Sequence, residues 1–136
     1  NGLAHFEEVL NLPQKNIAFC SESFGAQRVD ETTVRHRGIG RCKIAVERGE
    51  QHTFEKLLLL QCSLFPVEMV SNAEQMLFEK AVLNSLINPL TAVVQLNNGE
   101  FVTNKQAVLL MENIYQELTE AFESMEHSIS LGDVVD

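Results

Sequence analysis

The sequence predicts an α/β segment followed by an all-helical segment, and three observations carry the prediction. Before Ser71, short runs of β-branched and apolar residues are bounded by turn residues. From Asn72 onward, apolar residues recur at three- and four-residue steps, the period of a helix. The charge is also uneven, with a net +1 over residues 1–48 and −10 over residues 49–136. The expected organisation is residues 1–71 as the last part of an α/β domain and residues 72–136 as an all-helical segment.

Asn16–Ser21 is a short apolar run of strand length. Thr32–Arg37 and Arg41–Glu47 alternate on either side of Gly38-Ile39-Gly40, which predicts an antiparallel hairpin between them. Gln51–Gln61 is helical by composition, and Phe65–Val70 reads as a strand entered through Pro66. Ser71 or Asn72, with Glu74 or Gln75 three residues on, caps a helix running through Met76, Leu77, Ala81, Val82 and Leu83 to Ile87. Pro89 is expected to kink or restart it. A loop is expected after Asn97-Asn98-Gly99, and Thr103 with Gln106 is expected to cap another helix. In that helix Ala107, Leu110, Met111, Ile114, Leu118, Ala121 and Met125 form one apolar stripe, read as core.

Composition narrows the function classes. At 136 residues, 45% hydrophobic and 21% charged, the chain is too apolar for a disordered segment. Its apolar runs, Leu57–Leu60 among them, are far short of the ~20 residues of a membrane span. No signal-peptide pattern is present, so the cytoplasm is the expected compartment. A net charge of −9 repels phosphate backbones, which argues against nucleic acid as a partner. Arg35, Arg37, Arg41 and Lys43 then read as a solvated outward face. Cys20, Cys42 and Cys62 lack any CxxC, and no histidine stands at ligand spacing to them, so buried free thiols and no metal site are expected. The chain opens on Asn1-Gly2 and reaches its first Met at Met69, as a piece of a longer protein would.

One stripe departs from routine helix chemistry. Between Lys80 and Val94 the only large polar side chains are Lys80, Asn84 and Asn88. Four-residue steps advance about 40° around a helix, so the three share one slowly drifting line. A solvent face is usually filled with Glu, Lys and Gln, because Asn costs roughly half a kcal/mol against Ala inside a helix. Spacing leaves two readings open, a narrow solvent face or the lining of a ligand cleft.

The run from Lys80 through Asn84, Asn88-Pro89-Leu90-Thr91-Ala92 to Asn98-Gly99-Glu100 closely resembles the signature of the ketopantoate reductases (2-dehydropantoate 2-reductases). The likeness extends upstream to Asn1-Gly2-Leu3, to Phe24-Gly25-Ala26-Gln27-Arg28 and to Thr33–Gly40, which look like strands of that family. The resemblance implies the end of a Rossmann-type NADP-binding domain, then a helical C-terminal domain, with a 2-keto acid held in the cleft between; residues 72–136 are then the first part of that helical domain. It implies a catalytic role for Lys80 and substrate contacts from Asn84, Asn88 and Asn98. It further implies cofactor contacts from Asn1 and from Ala26, whose backbone lies by NADPH. The implied reaction is NADPH-dependent reduction of ketopantoate to pantoate in coenzyme A biosynthesis; a homodimer stays open.

Two positions depart from the family pattern, Phe24 where His is frequent and Phe78 where Trp is frequent. No GxGxxG loop is present, and the family's later Ser and acidic residue would follow Asp136. The 136 residues alone are therefore expected to be inactive and to hold NADPH weakly or not at all. The alternatives are a paralogue acting on another branched 2-keto acid, or a non-catalytic helical interaction module presenting the stripe of residues 107–125.

Overall fold

A computed structural model describes residues 3–123. It divides into two compact units, Ala4–Leu77 and the chain from Phe78 joined by Leu3.

The first unit opens with a short helix, α1 (Phe6–Leu10), followed by strands β1 (Ile17–Glu22), β2 (Gly25–Arg28), β3 (Val34–Gly38) and β4 (Cys42–Arg48). After α2 (Gln51–Glu55) and a 3₁₀ turn over Lys56–Leu60 comes β5 (Val67–Val70). Strand order is β1-β4-β5, with β1 antiparallel and β5 parallel to β4. A parallel pair needs a crossover of a dozen or more residues, and α2 with the 3₁₀ turn supplies it.

Because β4 is central, both its faces are covered. On one face Cys42 and Ile44 pack with Val67, beside Ala18, Leu58 and Phe65. On the other, Ala45 packs with Phe6 of α1 and with Ala73 and Met76. The alternation read in Arg41–Glu47 is thus not one of buried against solvated sides.

The predicted hairpin between Thr32–Arg37 and Arg41–Glu47 does not form. β3 pairs with β2, and β4 pairs with β1 and β5. The turn that closes β2–β3 is built by Asp30, whose Oδ1 accepts the Thr32 and Thr33 amides at 2.9 and 2.8 Å. Those bonds hold its carboxyl below the usual carboxylate range. Gly38-Ile39-Gly40 instead carries the chain from one sheet to the other. A Cβ on Gly40 would stand 2.3 Å from the Ser23 carbonyl carbon, so only glycine permits the approach. There Ser23 Oγ accepts the Arg41 amide at 2.8 Å, and the Ser23 amide reaches the Arg41 carbonyl at 3.1 Å.

The basic residues divide by role. Arg35, Arg37 and Arg41 are exposed, whereas Arg48 is half-buried. Its guanidinium donates to the carbonyls of Leu10, Leu12 and Gln14 at 2.5, 2.8 and 3.0 Å, clasping the end of α1 to the end of β4. Gly49 follows at φ +101, a backbone state that favours glycine.

The second unit is helical: most of α3 (Ala73–Val94), then α4 (Asn98–Thr103) and α5 (Lys105–Glu123). Asn72 starts α3 by accepting the Gln75 amide at 2.9 Å. Pro89 lies inside α3 rather than restarting it. Leu86 and Leu90, on either side of the proline, are buried in the same core with Phe101, Ala107 and Met111, and that packing outweighs one missing donor. Gln95, at φ 55, ends the helix in the left-handed region.

Two local expectations are corrected here. The residues after Asn97-Asn98-Gly99 form a helix instead of a loop, because Glu100 folds back to accept the Asn97 amide at 2.9 Å and caps it. Thr103 is not the cap of α5, since its hydroxyl donates to the Glu100 carbonyl within α4. Asn104 takes that place, with Oδ1 accepting the Gln106 and Ala107 amides. Of the apolar stripe, Ala107 and Met111 are buried and Ile114 and Leu118 pack beside them, whereas Leu110 is exposed. The side chains of Ala121 and Met125 lie outside the described residues. Among the described residues no helix is long and apolar enough to cross a membrane.

Candidate active site

The polar stripe on α3 is placed by the apolar one. Phe78, Val82, Leu86 and Leu90 recur every four residues and are 0–6% exposed. Lys80, Asn84 and Asn88 follow the same step two residues out of phase. Two residues rotate a helix by about 200°, so the polar line runs along the side of α3 opposite this unit's core. Successive members are about 6 Å apart along the axis. Lys80 and Asn84 are half-buried, and Asn88 is exposed.

The neighbouring hydroxyls do not share in that display. Ser85 Oγ donates to the Ala81 carbonyl and Thr91 Oγ1 to the Ile87 carbonyl, both at 2.8 Å. Their hydrogens are spent within the helix. What α3 presents along this line is one ammonium and two carboxamides. That set can donate to a carboxylate, accept from a hydroxyl and meet a developing oxyanion with positive charge.

Asn98 is the first residue of α4 and is exposed. Its position is held from both sides, by the Asn97–Glu100 bond before it and by the fully buried Phe101 after it.

Ala26 belongs to the first unit, exposed on β2. The Val29 amide bonds the Thr33 carbonyl at 3.0 Å, and the register then pairs Arg28 with Val34, Gln27 with Arg35 and Ala26 with His36. Hydrogen-bonded pairs alternate along an antiparallel ladder, so the Ala26 amide and carbonyl point away from β3. With Gly25 and Gly38 beside it, this edge offers backbone polar groups and little side-chain bulk. Asn1 lies outside the described residues. Phe24 stacks on Phe65 with ring centroids 4.9 Å apart, and Phe78 is buried, so both departures from the family pattern serve packing.

The cysteines differ from their expected burial. Cys42 is buried, but Cys20 and Cys62 are exposed. Cys20 Sγ stands 3.2 Å from Cys42 Sγ, across β1 and β4. Partial desolvation of its sulfur and the bond to Cys42 push the Cys20 thiol up to about 12. Sequence spacing hides this pair, because 22 residues separate the two cysteines; only strand register brings them together. Both line an apolar cavity of about 290 Å³ between the sheet and the α2 segment, with Ile44, Phe54, Leu57 and Phe65.

Comparison with known proteins agrees with this architecture. Residues 72–136 match the family described as the ketopantoate reductase PanE/ApbA C terminal. A 2-dehydropantoate 2-reductase of Listeria innocua is 35% identical over 119 residues, which is 87% of this chain and 40% of that protein. The crystal structure of a probable 2-dehydropantoate 2-reductase from Bacillus subtilis superposes with a TM-score of 0.68 at 26% identity, over 98% of this chain and 46% of that one. A D-mandelate dehydrogenase solved with NADH gives a TM-score of 0.75 at 19% identity, over 99% of this chain and 46% of that one, which speaks to fold alone. The chain spans about two fifths of the length of the curated relatives it matches. Strands then helices here are the end of a Rossmann-like domain followed by a helical C-terminal domain.

Proposed function

Since the chain belongs to the ketopantoate reductase family, we propose that it supplies the proton donor and substrate contacts for NADPH-dependent reduction of ketopantoate to pantoate. The observation that carries this reading is the line of Lys80, Asn84 and Asn88 on the face of α3 turned from the core. NADPH, when bound, supplies the hydride that reaches the ketone carbon.

As hydride arrives, negative charge develops on the ketone oxygen. The Lys80 ammonium stabilises that charge and then gives its proton to the oxygen, acting as general acid and leaving a neutral amine to be reprotonated from water. Asn84, Asn88 and Asn98 hold the hydroxyl and carboxylate of the substrate, since a carboxamide both donates and accepts without adding charge. Asn1 is assigned to the nicotinamide end of the cofactor, and Ala26 to a cofactor contact through the outward backbone groups of β2. The GxGxxG loop that places a pyrophosphate is not in these 136 residues, so the reading applies to the full-length reductase. We place the reaction in the cytoplasm, where the three unpaired cysteines stay reduced.

The test is steady-state reduction of ketopantoate by the full-length enzyme. Lys80→Ala should lower kcat by roughly 10²- to 10⁴-fold, the usual contribution of a positioned proton donor. A kcat within a few fold of wild type at saturating substrate would refute the assignment. Turnover of other branched 2-keto acids in the same assay separates ketopantoate from a paralogue's substrate.

A further inference from the structure

We propose that Cys20, Glu22 and Cys42 form a three-ligand site for a thiophilic divalent cation of the Zn²⁺ and Cd²⁺ class. The site lies on β1 and β4 and uses none of the residues assigned above to keto-acid reduction. Glu22 stands directly opposite Cys42 in the antiparallel register, and Cys20 is two residues back along the same strand. Side chains two apart on a strand share a face, so all three project to one side of the sheet. Their ligand atoms lie within 4.8 Å of one another, and the two sulfurs are 3.2 Å apart.

The distances suit a tetrahedral ion. With metal–sulfur bonds of about 2.3 Å, a tetrahedral angle sets two thiolate sulfurs roughly 3.8 Å apart. The pair must therefore open by about half an ångström, a change that small χ1 rotations on two adjacent strands can provide. Cys42 is buried, while Cys20 and Glu22 are exposed. The ion would sit at the rim of the sheet, with its fourth position open to water. Two thiolates favour zinc and cadmium over magnesium or calcium, which prefer oxygen. Binding displaces both thiol protons to solvent; the two thiolates then balance the divalent charge and the carboxylate leaves the site with a net charge of −1.

The test titrates the reduced chain with Cd²⁺ and follows the ultraviolet thiolate-to-cadmium charge-transfer band. The band should saturate at one equivalent, and Cys62→Ser should leave it unchanged. Cys20→Ser, at an exposed position that does not disturb the core, should halve the band and weaken binding by at least about tenfold. Glu22→Gln should keep the band and still weaken binding about tenfold. The proposal is overturned if no saturable band appears, if Cys62→Ser removes it, or if Glu22→Gln binds like wild type. Circular dichroism of each variant verifies that the strands are intact.

Discussion

Arg48→Ala separates a structural arginine from a solvated one. In a basic cluster, truncation of an exposed arginine usually changes stability by no more than about 0.5 kcal/mol. Arg48 instead donates to three carbonyls, of Leu10, Leu12 and Gln14. The bond to Leu10 is part-buried, and a charged donor in such a place contributes about 1.5–3 kcal/mol. The other two are exposed, and their carbonyls regain water when the guanidinium is lost. Each is worth about 0.5 kcal/mol or somewhat more. The guanidinium also faces the C-terminal end of α1, a favourable placement for a cation that adds a few tenths of a kcal/mol at most on so short a helix.

The expected loss on Arg48→Ala is therefore about 2–4 kcal/mol. In thermal unfolding followed by circular dichroism this is a fall in Tm on the order of 10 °C. Amide exchange over residues 10–14 should accelerate at the same time, because the clasp holds that stretch. Arg48→Lys keeps the charge but not the fork of donors, and should recover less than half of the loss. Arg35→Ala, at an exposed site on β3, serves as the control. A Tm for Arg48→Ala as close to wild type as that of Arg35→Ala would refute the reasoning.

Other substitutions test other joints. Leu86 is fully buried in the helical unit, so Leu86→Ala should cost about 2–5 kcal/mol in denaturant unfolding; a loss below about 1 kcal/mol would mean that this core is not packed as described. Gly40→Ala drives a methyl into the Ser23 backbone and should destabilise by about 2 kcal/mol or more, whereas Gly99→Ala meets open space and should cost far less. The Asp30 carboxyl is held below its ordinary value of 3.8 by the Thr32 and Thr33 amides. Its contribution to the β2–β3 turn is thus fully present above that ordinary value and is lost as pH falls through the lowered one. A carboxyl titration by NMR with its midpoint at or above 3.8 would contradict those bonds.

Some features of the fold follow from local sequence, and residues show why. The Asn16–Ser21 and Phe65–Val70 runs are strands because a few apolar residues between turn residues suit a strand buried in a sheet. The Lys80–Asn84–Asn88 line is equally legible, since all three sit on one helix and its geometry is regular. Asn98 and Ala26 carry no such signal. One heads a six-residue helix capped by Glu100, the other lies on a four-residue strand, and only likeness to a family pointed to either.

By itself, the sequence determined the strands within Asn16–Ser21, Thr32–Arg37, Arg41–Glu47 and Phe65–Val70, the long helices after Asn72, and the Lys80–Asn84–Asn88 line, but not α1, β2 or α4. These depend on contacts a few residues apart, where period and capping act directly. Tertiary structure alone decided that β3 pairs with β2 while β4 lies between β1 and β5. It also set Arg48 on the end of α1 and brought Cys20 to Cys42. The physical reason is that strand pairing is a competition among distant partners, settled by which arrangement buries both faces of β4. A gap of three residues containing two glycines favours a hairpin locally, but the core gained by placing Ile44 and Ala45 against opposite layers outweighs it.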